Sequence, residues 1–297
     1  MERLILGTVQ LGMPYGVANR SGRPEAADAR AIIAAAWEGG IRTFDTAQGY
    51  GDSETVLGSI IHDLGLENEI RVITKLHPGI DHRRRDVLAE AVDHSMRCLQ
   101  VPRIHALLLH REEHLDLLKD GLAESLFHFV AEGKVGRIGV SVYSPERGLA
   151  ALDEDVIDIV QLPASIVDQR AARAGIDARA KEKNKGIHIR SIFLQGLLLL
   201  DPMDVPPRVA FSVPILEEYG RLIAGFDLTR REAAIGYIKK RFPESPVLFG
   251  AETTEQVREN IRSWHSDVPE ALIEAVENLF PEVDERVVNP SQWRDSG

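Results

Sequence analysis

The sequence predicts an α/β protein built as a single (β/α)8 TIM barrel, with its active site at the C-terminal face of the strands. Eight short apolar segments alternate with helical segments along 297 residues. Continuously apolar strands are typical of parallel sheets that are covered on both faces. Eight strand–helix units in this length fit a closed barrel better than an open sheet. We predict one domain over residues 1–297, with an irregular excursion near 194–214 and a polar C-terminal tail at 281–297.

The predicted strands are short runs of β-branched and aliphatic residues that end at polar residues or at glycine. They are predicted at residues 4–8, 43–45, 71–75, 104–109, 135–140, 156–162, 187–193 and 246–250. After the first strand, Gly7, Gly12 and Gly16 indicate a loop that is mobile or faces a ligand.

The predicted helices carry apolar residues at helical spacing. They are predicted at residues 24–38, 53–64, 83–99, 115–132, 145–152, 169–184, 214–223, 230–241, 254–264 and 268–279. Ser53, Thr229 and either Thr253 or Thr254 are predicted N-caps, because their hydroxyls can accept from the free N–H groups of a first turn.

Composition and charge exclude several classes of function. The net charge of −11 offers no electrostatic footprint for nucleic acid. Cys98 is the only cysteine, so neither a disulfide framework nor a cysteine-based metal site is expected, and no His/Asp cluster has metal-ligand spacing. The apolar runs are too short to span a bilayer, and the N-terminus lacks a signal-peptide apolar region. We therefore predict a cytoplasmic protein with no metal, no nucleic acid and no membrane contact.

Polar residues end five of the apolar runs. They are Asp45, Lys75, His110, Ser141 and Gln161. Each has an ordinary explanation by itself, such as a loop cap, a lysine that reaches water or a structural histidine. In a barrel, however, the C-terminal ends of all strands meet at one mouth. The five side chains are therefore predicted to share a site.

Tyr50, in the glycine-containing loop after Asp45, completes a chemically coherent group. A tyrosine has an unperturbed pKa of about 10, and a nearby ammonium is expected to lower it. A carboxylate would keep Lys75 charged, and His110 could orient a carbonyl or assist proton transfer. We predict that Asp45, Tyr50, Lys75 and His110 form a proton-donating group that faces a carbonyl substrate.

These four residues, in this order, resemble the catalytic tetrad of the aldo-keto reductase superfamily. The resemblance extends along nearly the whole chain. Each matching segment is weak by itself, and their occurrence together in this order makes the resemblance specific. The matching segments are residues 45–51, 73–75, 108–110, 134–141, Gln161, 195–198 and 250–260.

The resemblance implies an enzyme that transfers hydride between an extended nicotinamide cofactor and a carbonyl or alcohol substrate, with Tyr50 as general acid or base. It implies that Lys75 supports Tyr50, that the 193–198 loop passes along the pyrophosphate, and that Gln256 and Asn260 lie near the adenosine end. Ser141 and Gln161 would hold the nicotinamide carboxamide. The implied cofactor-binding residues are Gly7, Thr8, Ser141, Gln161, Ser191, Phe193, Leu194, Gly196, Gly250, Glu252, Gln256, Glu259 and Asn260.

The family resemblance and the local sequence indicate different nucleotides. The resemblance implies NADP(H). Glu252, however, is acidic and would repel a 2′-phosphate, whereas a carboxylate can accept from the free ribose hydroxyl of NAD(H). We predict NADP(H), with Arg258 or another loop supplying the positive charge, and NAD(H) remains the alternative.

The substrate is predicted to be a small carbonyl or sugar compound. Residues 6–19 resemble a bacterial subgroup that is often associated with surface-sugar biosynthesis. The physiological substrate, the direction and the oligomeric state stay open. The alternative function is a cofactor-binding barrel that serves as a regulatory or redox-sensing subunit, as in channel-associated relatives. An aldolase or isomerase on the same barrel is disfavoured by the adenosine-end motif.

Overall fold

The computed structural model, which describes residues 2–293, is a closed barrel of eight parallel strands, and it confirms the predicted fold class. Each strand pairs with the next along the chain, and the barrel closes between the first strand and the last. The strands β1 to β8 are Leu4–Gly7, Thr43–Asp45, Arg71–Leu76, Ala106–Leu109, Ile138–Ser141, Ile159–Pro163, Gly186–Arg190 and Val247–Gly250.

Helices cover the outside of the barrel. The α-helices α1 to α13 are Val9–Gly12, Ala26–Glu38, Ser53–Leu64, Arg85–Leu99, Leu122–Ala131, Pro145–Leu152, Arg170–Arg173, Ile176–Glu182, Val213–Ala224, Arg230–Arg241, Thr254–His265, Glu270–Leu279 and Glu285–Val288. Short 3-10 helices occupy Glu112–Asp120, Leu197–Leu199, Pro202–Asp204, Pro207–Ser212 and Pro290–Gln292. No helix among residues 2–293 is both long enough and apolar enough to cross a membrane.

The strands separate two groups of buried apolar side chains. The larger group fills the space between the strands and the helices. The smaller lies inside the barrel and consists of Ile5, Ile73, Ala106, Leu108 and Ile159. Such residues fill the barrel interior as a packed core, so only its mouth is free for a ligand.

The strand register brings polar residues to the C-terminal rim. Gly7 pairs with Asp45 across β1 and β2, and Ser141 pairs with Gln161 across β5 and β6. Arg190, the last residue of β7, pairs with Pro163 of β6. Because all strands are parallel, these rim residues surround one opening.

Two long predicted helices are each divided by a glycine, so the prediction that each is continuous was wrong. The 115–132 segment is a 3-10 helix and then α5, with Gly121 between them at φ +94°. The 169–184 segment divides into α7 and α8, and Gly175 lies between them at φ +66°. Glycine adopts this left-handed conformation without the Cβ clash that other residues meet, which permits the change of direction.

The predicted N-caps gave mixed results. Thr229 and Thr253 accept hydrogen bonds from the backbone N–H groups of Glu232 and Gln256, both at 3.2 Å, as predicted. The assignment of Ser53 was wrong, because Asp52 holds the cap position of α3. The buried Ser53 hydroxyl instead donates to the Thr8 carbonyl at 2.7 Å and lies 2.9 Å from the hydroxyl oxygen of Thr8. It therefore connects β1 to α3.

Gly12 lies in α1, not in a mobile loop as its sequence context suggested. A Cβ at Gly12 would lie 1.7 Å from the carbonyl oxygen of Tyr50, and a Cβ at Gly51 would lie 2.6 Å from the carbonyl oxygen of Gly12. Only glycine allows the two segments this close. The backbone of α1 therefore supports the loop that carries Tyr50.

The final segment contains α13 and a 3-10 helix, and it buries Val287, Val288 and Trp293. Of the polar tail predicted at 281–297, the last four residues, 294–297, lie outside the described residues. That the whole chain forms one domain stays a prediction.

Candidate active site

A cavity opens at the C-terminal rim of the barrel, and most of the predicted site residues line it. Among the predicted catalytic residues, Asp45, Tyr50 and His110 reach its surface. Of the predicted cofactor-binding residues, those on the cavity wall are Gly7, Thr8, Ser141, Gln161, Ser191, Phe193, Gly196, Gly250, Glu252 and Gln256.

Four predicted residues lie outside the cavity wall. Lys75 is buried behind it, and Leu194 is fully enclosed by the core. Glu259 forms an ion pair with Arg231 at 2.9 Å, and the Asn260 Oδ1 atom accepts from the same guanidinium at 2.5 Å. Glu259 and Asn260 therefore hold an arginine that lines the cavity instead of lining it themselves.

Lys75 and Asp45 form a buried ion pair beneath the cavity. Lys75 is 1% exposed and Asp45 is 2% exposed. The Lys75 ammonium donates to Asp45 Oδ1, and also to the Thr46 carbonyl at 3.0 Å. Gln161 Nε2 donates to Asp45 Oδ2 at 2.8 Å. Burial lowers the pKa of Lys75, while the Asp45 carboxylate acts in the opposite direction.

Tyr50 and His110 lie side by side above this pair. Their ring centroids are 5.5 Å apart with an interplanar angle of 83°, and the Lys75 Nζ atom lies 5.1 Å from the centre of the Tyr50 ring. His110 Nδ1 is buried with no hydrogen-bond partner among the described residues. Burial, together with the positive charges of Lys75 and Arg190, lowers the pKa of His110 to about 3. His110 is therefore a neutral imidazole at physiological pH.

The pKa of Tyr50 moves in the direction opposite to the sequence-based expectation. Burial raises it, and the negative charge of Asp45 raises it further, whereas Arg190 lowers it. The Lys75 ammonium, which is paired with Asp45, does not reverse this direction. Tyr50 is consequently a protonated phenol, which is the form that can donate a proton.

Two loops form the outer wall of the cavity and hold each other in place. Ser191, Leu194, Gln195 and Gly196 all have positive φ values. The Gln195 carbonyl accepts from Val17 N at 3.0 Å, which ties this loop to the loop after α1. A run of non-glycine residues in the left-handed region is strained and persists only where the surroundings impose it. The loop therefore has a defined shape against the cavity.

Helix α10 and the segment from β8 into α11 complete the cavity wall and add two charged groups, Arg231 and Glu252. Gln256 lines the cavity as well. Gln256 Oε1 accepts from the backbone N–H of Glu252 at 2.7 Å. Burial raises the pKa of Glu252. Arg258, proposed from the sequence as a source of charge, is exposed and does not line the cavity.

Sequence reasoning missed several residues of the cavity wall, of which Arg190, Arg231, Tyr15 and Tyr143 are the chemically distinctive ones. Arg190 carried the same signal as Lys75, because it is a charged residue at the end of an apolar strand. Tyr15, Tyr143 and Arg231 come from loops and a helix, where the sequence has no comparable signal.

The cavity suits an elongated nucleotide. Its wall combines Tyr50 and His110 with the charged residues Arg231 and Glu252, and it contains four glycines. A Cβ at Gly250 would lie 2.4 Å from Gln10 Nε2, and Gln10 Oε1 is a buried acceptor without a partner in the described chain. Backbone exposed at glycines allows close approach of a ligand. Among residues 2–293, no group of three or more His, Cys, Asp or Glu side chains could hold a metal ion.

Comparisons with known proteins agree with this geometry. A model described as "Aldo/keto reductase family" matches residues 3–280. The chain is 24% identical to pyridoxal 4-dehydrogenase of Microbacterium luteolum, over 89% of this chain and 90% of that protein. It is 25% identical to the NADH-specific methylglyoxal reductase of Escherichia coli strain K12, with coverages of 78% and 81%. The holo form of an aldo-keto reductase from Bacillus halodurans has a similar fold, with a TM-score of 0.76 at 21% identity and coverages of 93% and 91%.

Proposed function

The chain belongs to the aldo/keto reductase family and is therefore an oxidoreductase that acts with a nicotinamide nucleotide, and from this premise we propose that Tyr50 is its general acid. In reduction, the Tyr50 hydroxyl donates its proton to the carbonyl oxygen as the carbonyl carbon accepts a hydride. In oxidation, the same oxygen takes the proton back. A bound dihydronicotinamide supplies the hydride.

The observation that carries this proposal is the protonated phenol beside a neutral imidazole at the mouth of the barrel. A general acid must be protonated and within reach of the reacting oxygen. Tyr50 meets the first condition because burial raises its pKa. The neutral His110 has one N–H to offer, and it lies against Tyr50 at a ring-centroid distance of 5.5 Å. We propose that this N–H orients the carbonyl oxygen toward the phenol.

The buried pair beneath the phenol has a positioning role in this proposal. The Lys75 ammonium is held by Asp45 and by the Thr46 carbonyl, and Gln161 holds the second oxygen of Asp45. We propose that the ammonium, 5.1 Å from the Tyr50 ring, offsets part of the repulsion between Asp45 and the phenolate that forms when the proton leaves. The phenol thus stays neutral at rest, and its conjugate base forms next to a positive charge.

For the nucleotide we propose NAD(H), whereas the sequence alone favoured NADP(H). A 2′-phosphate needs a free positive charge, and Arg231 is already paired with Glu259. Glu252 adds a carboxylate to the cavity wall. The NADH-specific relative from Escherichia coli supports this choice. We propose that Ser141 and Gln161 contact the nicotinamide amide and that Glu252 accepts from the ribose.

The proposed substrates are small aldehydes, ketones and sugars, and the cytoplasmic location stays a prediction. The decisive experiment titrates the purified protein with NADH and NADPH by fluorescence, and then measures turnover of methylglyoxal, pyridoxal and a panel of aldoses. We expect tighter binding of NADH and saturable turnover of at least one carbonyl. Nucleotide binding without turnover of any carbonyl or sugar would contradict the proposal and favour the regulatory alternative.

A further inference from the structure

Arg190 places a guanidinium at the reactive end of the cavity. It is the last residue of β7, and its side chain crosses to the end of β5, where Nη2 donates to the Val142 carbonyl at 2.9 Å. Nη1 donates to Ser191 Oγ at 3.2 Å, and the guanidinium carbon lies 4.4 Å from the centre of the Tyr143 ring. Two hydrogen bonds and one ring contact therefore fix its orientation.

This guanidinium has no carboxylate partner in the part of the chain that the structure describes. Arg190 lies on the cavity wall, and its Nε–H is buried and donates no hydrogen bond within the described chain. Arg190 is partly buried, and a charge that is withdrawn from water is normally compensated by an opposite charge or by hydrogen bonds. An unpaired arginine at a ligand cavity therefore points to a negative group on the ligand.

The charges around Arg190 leave one positive charge in excess at this end of the cavity. Two acids line the cavity, and Asp45 has both of its oxygens occupied, one by Lys75 and the other by Gln161. His110 is neutral and Tyr50 is a protonated phenol. Glu252, the other acid on the cavity wall, forms no ion pair with Arg190 in the described chain, and Gln256 Oε1 accepts from its backbone N–H. Arg190 is thus the unbalanced charge next to the proposed reaction centre, in a protein whose net charge is −11.

We propose that Arg190 binds a carboxylate on the substrate, and hence that the preferred substrates are carbonyl compounds that carry an acid group, such as oxo acids and sugar acids. This inference rests on the proposed reductase function, which it narrows. A guanidinium matches the planar geometry of a carboxylate. A single unpaired cation balances a carboxylate monoanion, whereas a phosphate dianion calls for more than one.

Tyr143 and Tyr15 extend the same subsite. Both line the cavity and are partly exposed at its mouth, and Tyr143 stacks on the Arg190 guanidinium. Phenol rings pack against the carbon chain or ring of a ligand while their hydroxyls remain available for hydrogen bonds. Arg190 acts at short range, since the net negative charge of the protein repels anions at a distance and salt screens that repulsion.

The test compares two aldehydes that differ only in charge, 4-carboxybenzaldehyde and methyl 4-formylbenzoate. The readout is the ratio of kcat/KM for the acid to kcat/KM for the ester. In Arg190→Gln we expect this ratio to fall about 10- to 100-fold, which is the range for a hydrogen bond to a charged group. Arg190→Lys should retain part of the preference. Arg147→Gln is the matched control, because Arg147 is paired with Asp116 and lies outside the cavity.

Calorimetric titration with benzoate and with benzamide tests the subsite independently of turnover. We expect Arg190→Gln to weaken benzoate at least tenfold and to leave benzamide unchanged. If neither aldehyde is reduced, the benzoate titration alone decides the subsite, and the proposed function is judged by the wider panel of carbonyls and sugars. Equal benzoate affinities in wild type and variant would overturn the inference.

Two further measurements separate the subsite from other anions. Loss of NADH affinity in Arg190→Gln, together with equal losses for acid and ester, would mean that Arg190 contacts the cofactor and would overturn the inference. Tighter Arg190-dependent binding of inorganic phosphate than of benzoate would overturn the assignment to a carboxylate. We expect instead that NADH affinity changes less than about twofold and that phosphate binds more weakly than benzoate.

Discussion

At the scale of single residues, Tyr50 and Tyr237 show how environment decides what a phenol does. Both hydroxyls have pKa values raised by burial. Tyr50 faces the cavity, whereas the hydroxyl of Tyr237 in α10 is buried with no partner in the described chain. Only the first phenol can reach a substrate. The two form a natural pair for testing the proposed acid.

We expect Tyr50→Phe to lower kcat/KM for carbonyl reduction by about 10²- to 10⁴-fold, because it removes the proton donor and keeps the ring. The dissociation constant for NADH should change little. Tyr237→Phe is the control and should leave kcat/KM unchanged. Steady-state kinetics and fluorescence titration provide both quantities. Turnover of Tyr50→Phe close to that of the wild type would remove Tyr50 from the mechanism.

The Lys75–Asp45 pair makes a second prediction at this scale. Lys75→Met leaves Asp45 as an unpaired carboxylate in a buried site, and breaking a buried pair from one side typically costs about 3–5 kcal/mol. We expect that loss in urea unfolding, together with a severe loss of activity. Adding Asp45→Asn removes the buried charge, so the double variant should regain stability without regaining activity. A Lys75→Met protein as stable as wild type would show that the pair does not remain ionised when folded.

At the scale of elements, α1 and the Tyr50 loop fit together only because residue 12 is glycine. We expect Gly12→Ala to destabilise the protein by about 2 kcal/mol or more, since the added methyl would overlap the backbone of Tyr50 and force a shift. The same shift should lower kcat. Gly186→Ala in β7 is the control, because a Cβ there meets its nearest atoms at 3.7 Å. Equal unfolding midpoints for the two variants would contradict this packing.

The segment between β8 and α11 makes a prediction about nucleotide choice. Glu252→Arg replaces a repelling charge with an attracting one, so we expect it to tighten NADPH relative to NADH about tenfold or more at low salt, and less at high salt. Fluorescence titrations at two ionic strengths measure this. Glu255→Arg is the control, because Glu255 is exposed, pairs with Arg262 and lies outside the cavity. An unchanged ratio in Glu252→Arg would mean that Glu252 does not face the nucleotide.

At the scale of the whole molecule, several partly or fully buried histidines make the barrel sensitive to acid. The pKa values of His82, His105, His110, His114 and His188 are all lowered, mainly by burial. A histidine whose pKa is lower in the folded state stabilises the protein fully above its unfolded pKa, and this contribution is lost as pH falls toward the folded pKa. The molecule should therefore lose stability steadily below about pH 6.5.

The contribution of His188, inside the barrel, to this loss of stability can be measured separately. Its pKa is lowered to about 3, first by burial and then by its neighbours His105, Arg137 and Lys75. We expect the wild type to lose about 2 kcal/mol more unfolding free energy between pH 7 and pH 5 than His188→Leu does. Urea unfolding at both pH values measures the difference. If the two proteins lose the same amount, His188 does not stay neutral in the folded state.

The sequence by itself determined the barrel and most of the residues at its mouth. Eight apolar runs that alternate with helices leave few other ways to cover a parallel sheet. In such a barrel every strand end faces the same rim, so Asp45, Lys75 and His110 could be placed near one another before any distance was known. The Thr229 and Thr253 caps were equally predictable, because capping depends on residues within one turn.

The tertiary structure decided what local patterns do not contain. Whether Ser53 caps a helix or bonds to Thr8 depends on how closely α3 approaches β1. Whether the pKa of the Tyr50 hydroxyl is raised or lowered depends on burial and on the pairing of Lys75 with Asp45. The direction of the Arg190 side chain follows from the β6–β7 register. Each of these outcomes is set by distances between segments that are far apart in the chain, and electrostatic and packing energies depend on those distances.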